Sequence, residues 1–388
     1  MNKETMKMFA EVRRNFPLTD QNKGITYLNS ASTGPLCRPV REALERYYDA
    51  AQFLVSEHDT AAFADLEKIR KLGAKFIGAD SDEIGFGFHT GFGLNIAAFG
   101  LPLKQGDEIL LSDIEFPSNV YPWLALRERG IDIRFIESSD HFFDIDKFER
   151  AIGSKSRVLS LSFVQFFNGY KNDLKKIGEI CRKHGLYFVV DGIQGCGHQI
   201  LDIHECQVDI FSTGAQKWLL SPLGTGYFYV RRELQNNLQM PFASWLSVDW
   251  KLNFGDLFHY DLPYFDSARK FEMGTYPYAH VHAMAAALEL IDNLGVENIQ
   301  KHNHSLLDIL IDYLKSSNTY TVVSSLDKNH RSSILSFTSS RAGDLFQELK
   351  SRKVICSFRQ GAIRIAVHLF NDESDIRRLL DVLEIFEN

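Results

Sequence analysis

Asp191 closes the apolar run LYFVVD, and 26 residues further on Lys217 stands inside GAQKWLLSPLGTG. A lysine set among small and apolar residues is unusual, because an ammonium normally stays in water. Desolvation lowers a lysine pKa and frees the neutral amine, which can attack an aldehyde. A strand-end Asp commonly caps a turn, but a parallel strand also delivers such a residue to an active-site edge. A third feature precedes both. In GFGFHTGFGLNIAAFG a short strand breaks at Thr90 and Gly91 into a helix expected from about Phe92. Amides at a helix start bind phosphate, and glycine lets the anion come close. The later GIQGCG is not a dinucleotide fingerprint, since its glycine spacing is wrong and no helix signal follows it.

These residues need a frame. Apolar runs EILLS, IDIRFI, RVLSLSFV, LYFVVD, DIFST and TGYFYV read as strands, and stretches such as PWLALRERG and DLKKIGEICRKHG between them read as helices. RPVREALERYYDAAQFL and FADLEKIRKLGAKFIG read as two amphipathic helices, the second ending at Gly78. Strand–helix alternation over this length predicts a mostly parallel sheet covered on both faces, with ligands beyond its carboxyl ends. After about Asp261 two long helices lead to strands RSSILSFT, VICSF and AIRIAVH alternating with further helices, the pattern of a smaller α+β domain. The expected division is an N-terminal segment over 1–24 packing on the small domain, a large domain over 25–262 and a small one over 263–388.

Composition narrows the classes. Among 388 residues 45% are apolar and 24% charged, an ordinary globular balance, and the net charge of −7 offers no footprint for nucleic acid. Five cysteines at irregular spacing, with no CxxC pair, speak against a disulfide framework or a structural zinc site. With no apolar leader at the start and no membrane-length apolar run, the expectation is a cytoplasmic protein without metal.

Phosphate turn, strand-end Asp and embedded Lys, in that order, resemble the class V aminotransferase-fold enzymes that use pyridoxal phosphate (PLP). Cysteine desulfurases, selenocysteine lyases, kynureninases and isopenicillin N epimerase-like proteins belong to that family. The resemblance runs from YLNSASTGPL to AIRIAVHLFNDESDI and is most specific over VVDGIQ…VDIFSTGAQKWLLSPLGTGYFYVRR. It implies fold type I, with a PLP-binding large domain, and a homodimer with active sites at the interface. Lys217 would carry the cofactor as a Schiff base and shuttle the α-proton; Asp191 would pair with the pyridine nitrogen and Gln194 with the phenolic oxygen. Thr90 and Gly91 match the phosphate turn, where many relatives carry a second Thr at the place of Gly91. Gln216 stands where many relatives have histidine, and Thr275 matches a residue that reaches the neighbouring subunit's phosphate. Phe116 matches the group stacked on the cofactor ring. Arg364 matches the clamp on the substrate α-carboxylate, and Asn29 lies in a pocket-lining segment. Arg269 and Lys270 are either surface charges or a second substrate contact.

The reaction implied is at the α- or β-carbon of an amino acid, of the epimerase, lyase or aminotransferase type. A cysteine desulfurase or selenocysteine lyase is the alternative. A desulfurase needs a thiol on a mobile loop, whereas Cys356 sits eight residues before Arg364 in a strand-like run and reads as a buried small hydrophobe. A sugar aminotransferase or a non-catalytic scaffold would share the fold. The aromatic stretch MPFASWLSVDWKLNFGDLFHY is a candidate either for an apolar side-chain pocket or for dimer contact.

Overall fold

The computed structural model describes residues 3–20, 24–53, 58–253, 255–256 and 258–387. Seven strands form the main sheet: β1 (Ile84–Gly87), β2 (Glu108–Ser112), β3 (Asp132–Ile136), β4 (Ser156–Ser162), β5 (Tyr187–Asp191), β6 (Ile210–Gly214) and β7 (Gly226–Val230). Their order is β1-β7-β6-β5-β4-β2-β3, with β7 alone running against its neighbours. Successive side chains alternate between faces. Phe188, Val190 and Phe211 accordingly enter one core, while Val189 and Ile210 enter another on the opposite face. Both faces are covered, which is why these strands read as continuous apolar runs.

Helix α1 (Lys3–Arg13) is followed by α2 (Arg38–Ala51), α3 (His58–Ile77) and α4 (Thr90–Gly100). Helix α4 begins two residues earlier than the sequence suggested, so Thr90 and Gly91 form its first turn. PWLALRERG is an α-turn over Tyr121–Leu124 that tightens into a 3-10 helix over Ala125–Arg129. Helix α5 (Leu174–His184) connects β4 to β5, and beyond the main sheet come α6 (Tyr278–Leu294), α7 (Val296–Ser316), α8 (Ala342–Ser351) and α9 (Glu373–Glu387). A second, antiparallel sheet contains β8 (Thr321–Val322), β9 (Ile334–Thr338), β10 (Ser357–Arg359) and β11 (Ala362–Ala366), in the order β10-β11-β9-β8.

VICSF is not one strand. Val354 and Ile355 pair in parallel with Thr26 and Tyr27, and Ser357 begins β10 in the other sheet, so the run changes partners at Cys356. Helix α6, which the sequence reading assigned to the smaller domain, packs on α2 and α3. Its Val281, Met284 and Leu288 belong to the main core together with Ile299 of α7, whereas Leu307, Leu310, Phe337, Ile363 and Leu379 form the C-terminal core. The two cores thus part within α7. At the amino end, Phe9 stacks on His302 at 4.1 Å, and Arg13 reaches Asp372 at 2.9 Å and Asp375 at 2.7 Å.

A buried ion pair anchors the segment that carries Thr275. The fully buried Glu272 accepts from Arg70 Nη2 at 2.6 Å and from the Phe86 amide at 2.8 Å, and the Tyr276 hydroxyl donates to it as well. Glu272→Ala would leave the buried Arg70 guanidinium with only the half-exposed Glu67, at 3.0 Å, as its carboxylate partner. The expected loss is about 3–5 kcal/mol in urea unfolding, and Arg70→Met on the same chain should recover part of it.

Candidate active site

Four loops at the carboxyl ends of the main sheet converge on one cavity of about 450 Å³. Thr90 and Gly91 arrive after β1, Phe116 after β2, Asp191 at the end of β5, and Gln216 and Lys217 after β6. His89, Asn95, Ser118, Tyr121 and Ile193 complete most of the lining. Fold direction, not sequence proximity, gathers them: β1, β2, β5 and β6 all point the same way, so their ends share an edge.

Asp191 is 2% exposed, and its Oδ1 accepts the Ile193 amide at 3.0 Å. Burial pushes this carboxyl well above the usual carboxylate range, with the Ile193 hydrogen bond opposing and the nearby Glu115 adding to the rise. Burial likewise pulls the Lys217 amine down, the Asp191 carboxylate opposes that, and the Arg364 and Arg359 charges add to it. Lys217 Nζ lies 5.6 Å from the Phe116 ring centre. The backbone before β1 is pressed against this lysine. Gly34 donates its amide to the Gln216 carbonyl at 2.8 Å, and a Cβ on it would meet the Lys217 carbonyl oxygen at 2.1 Å.

Thr90 Oγ1 accepts the Gly214 amide at 2.9 Å, and its carbonyl takes the Ser212 hydroxyl at 2.6 Å. The threonine's own O–H is still available to a ligand, as are the Thr90 and Gly91 amides, whereas the Phe92 amide donates to the His89 carbonyl at 2.9 Å. Gln194 is held behind the cavity. Its Nε2 donates to the Ala31 carbonyl at 3.0 Å and its Oε1 accepts from the Trp218 indole at 2.9 Å, so one N–H remains. His198 stacks on that indole at 3.7 Å.

Phe116 is 39% exposed and meets Phe166 edge-on at 5.2 Å. Its predecessor Glu115 fixes it from below, accepting from Asn119 Nδ2 at 2.9 Å, the Ser162 amide at 2.9 Å and Gln165 Nε2 at 3.0 Å. The Phe166 carbonyl in turn accepts from Arg364 Nη1. Arg364 Nη2 donates to Ser32 Oγ at 2.8 Å, and Ser357 passes the network on by donating to Asn29 Oδ1 at 2.6 Å. Arg364 is 3% exposed, its Nε has no partner, and no acidic side chain pairs with it among the described residues. Burial and the neighbouring Arg359 pull its pKa down to about 10. A guanidinium in that condition is prepared for an anion.

Other residues lie elsewhere. Thr275 is exposed and outside the cavity. Lys270 donates to Asn236 at 2.8 Å and Arg269 pairs with Glu67 at 3.3 Å over the Phe265 ring, so neither reaches the cavity. In the aromatic stretch, Phe242, Trp245, Trp250, Phe258 and Tyr260 do not line it, and Phe254 falls outside the described residues. Among the residues described, no group of His, Cys, Asp or Glu side chains is arranged for a metal ion, and no helix is long and apolar enough to cross a membrane. The sequence reading missed Ser32, Ser357 and Glu115, which only the folded contacts reveal, and His89, which adjoins the recognised Thr90.

The family model for aminotransferase class V matches residues 26–379, a span that contains every strand and loop of this cavity. The chain belongs to the class V aminotransferases. It is 28% identical over 356 residues to an uncharacterized aminotransferase, YcbU, of Bacillus subtilis, covering 92% of this chain and 93% of that one. A probable cysteine desulfurase of Methanothermobacter thermautotrophicus is 29% identical over 400 residues, covering 96% and 97%. Among solved structures, the cystine C–S lyase C-DES with its product cysteine persulfide superposes with TM-score 0.84 at 24% identity, over 92% of this chain and 97% of that one. A lysine-to-alanine mutant of C-DES with glycine covalently linked to its PLP superposes with TM-score 0.86 at 23% identity, over 96% and 98%. The fold is type I, and the protein is a PLP-dependent amino-acid enzyme, in keeping with its family. The residues present fit that cofactor: a desolvated amine, a buried carboxyl opposite it, an aromatic ring, and unspent donors at the start of α4.

Proposed function

We propose that the chain acts on an amino acid at its α- or β-carbon, with Lys217 holding PLP, as an enzyme of the lyase, epimerase or aminotransferase type. The observation that carries this reading is the convergence of Lys217 and Asp191 on one cavity with the start of α4. When bound, the cofactor supplies an electron sink for a bond at the substrate's Cα. Asp191 would hold the ring nitrogen's proton, Phe116 would supply an aromatic ring beside the cofactor, and Gln194 would offer its remaining N–H to the ring oxygen. Thr90, Gly91 and Gln216 would donate to phosphate. Lys217, whose pKa burial lowers to about 8, would take and return the Cα proton. Thr275 reaches the phosphate of a second copy in a homodimer, the arrangement its exposure allows. Five unpaired cysteines fit a cytoplasmic location.

Arg364 and Asn29 position the substrate. A planar fork holds a carboxylate bidentately, which a point charge cannot reproduce. Arg364→Lys should raise KM about 10- to 100-fold for amino acids and leave an amine lacking the carboxylate unaffected. Equal losses for both ligands would remove the clamp assignment.

Sulfur transfer through a protein persulfide requires an accessible thiol, and all five cysteines are buried. Burial pushes the Cys356 thiol up to about 12, with Arg364 only partly opposing. Should the substrate contain sulfur, the sulfur leaves in a small-molecule product. Alkylation of the native enzyme with iodoacetamide, or Cys356→Ala, should then leave most activity in place. Loss of activity with either treatment, together with sulfane sulfur on the protein, would favour the desulfurase reading instead.

A further inference from the structure

The ring of His89 lies over Gly91, where a Cβ would sit 3.3 Å from Nδ1 and 3.5 Å from Cε1. Apart from the adjoining residues and the helix's own backbone, nothing else approaches that Cβ position within 4 Å. The imidazole lines the cavity, does not cap α4, and makes no hydrogen bond among the described residues. It therefore occupies the space that a side chain at position 91 would fill, without a structural task of its own.

Charge gives that placement a purpose. Of the residues lining the cavity, only His89 and Lys217 can carry positive charge. Resting on the function proposed above, Lys217 is committed to the cofactor's aldehyde end. The phosphate end would then meet only neutral donors: the Thr90 and Gly91 amides, the Thr90 hydroxyl, the Gln216 amide and the Thr275 hydroxyl of a second copy. A phosphate dianion in a partly dry site favours a charge-assisted donor. Asp191, 2% exposed and facing the same cavity, marks the opposite end of the ligand, so the site is defined at both ends.

We propose that His89 is a phosphate-binding residue of this site, its imidazole reaching over Gly91 to the PLP phosphate in place of a hydroxyl at position 91. The arrangement is particular to this chain's His-Thr-Gly turn. It also accounts for a glycine at position 91, because a larger residue there would push against the ring.

The test compares PLP with pyridoxal, which lacks the phosphate, on apo-protein of the full chain. Dissociation constants come from absorbance titration, and the 31P resonance of bound PLP reports the phosphate directly. His89→Ala should weaken PLP about 10- to 100-fold, leave pyridoxal unchanged and move the 31P resonance. His89→Gln, which keeps a donor, should lose less. Adding Gly91→Thr to His89→Ala should recover affinity, since the ring that crowded Cβ is gone and a hydroxyl replaces it. Melting of the apo-variants should match wild type, because the side chain is exposed and unbonded. Equal weakening of PLP and pyridoxal, or no weakening of either, overturns the proposal. Borohydride reduction of the wild type separates this from the underlying reading: PLP that binds but is never fixed to Lys217 sinks the proposed function, whatever His89 does.

Discussion

Lys217→Ala should abolish the covalent attachment of PLP and lower turnover of any amino-acid substrate by at least about 10⁴-fold. The reasoning starts from desolvation. An amine buried beside Phe116, with Arg364 and Arg359 contributing like charge, loses its proton more readily than an exposed lysine and is nucleophilic near neutrality. In the function proposed above the same group would also move the Cα proton, so its removal would delete two functions at once. Borohydride reduction followed by peptide mass spectrometry should place the pyridoxyl group on Lys217 in the wild type and on no residue in the variant. A reducible visible band that persists in Lys217→Ala, or a label on another lysine, would overturn the assignment.

Asp191→Asn keeps the shape of the side chain and removes its charge. Loss of one partner from a buried hydrogen-bonded charge pair costs about 2–5 kcal/mol, which predicts a fall in kcat of about 30- to 5,000-fold. Attachment of PLP to Lys217 should survive, which separates this variant from the first. The apo-protein carries a second signature. Because burial raises the folded-state pKa of Asp191, the folded protein binds more protons than the unfolded one between the two values, and stability falls as pH rises across that window. Asp191→Asn should flatten this dependence and stabilise the apo-protein above it, as read from melting temperature against pH. A variant with full activity would show that the ring nitrogen does not need this carboxylate.

Both effects concern residues that the chain announces locally. An apolar five-residue run with a terminal Asp, and a lysine among small and apolar neighbours, are visible because a doubly covered strand must be apolar throughout. The order of strands and helices, and therefore the shared edge where Thr90, Phe116, Asp191 and Lys217 meet, follows from the same periodicities.

The side proposed to hold the substrate carboxylate was not legible in that way. Asn29, Ser32, Ser357 and Arg364 form one network, yet residues from opposite ends of the chain compose it. The switch of partners at Cys356 and the membership of α6 in the main core were equally hidden. Periodicity is a property of neighbouring residues and reports which face of an element is apolar. It is silent on which distant face will cover it, or on where one strand leaves its partner for another. Sequence alone determined most of the elements and singled out Lys217 and Asp191; tertiary packing decided what surrounds them, because burial and hydrogen-bond partners exist only once separate segments close on each other.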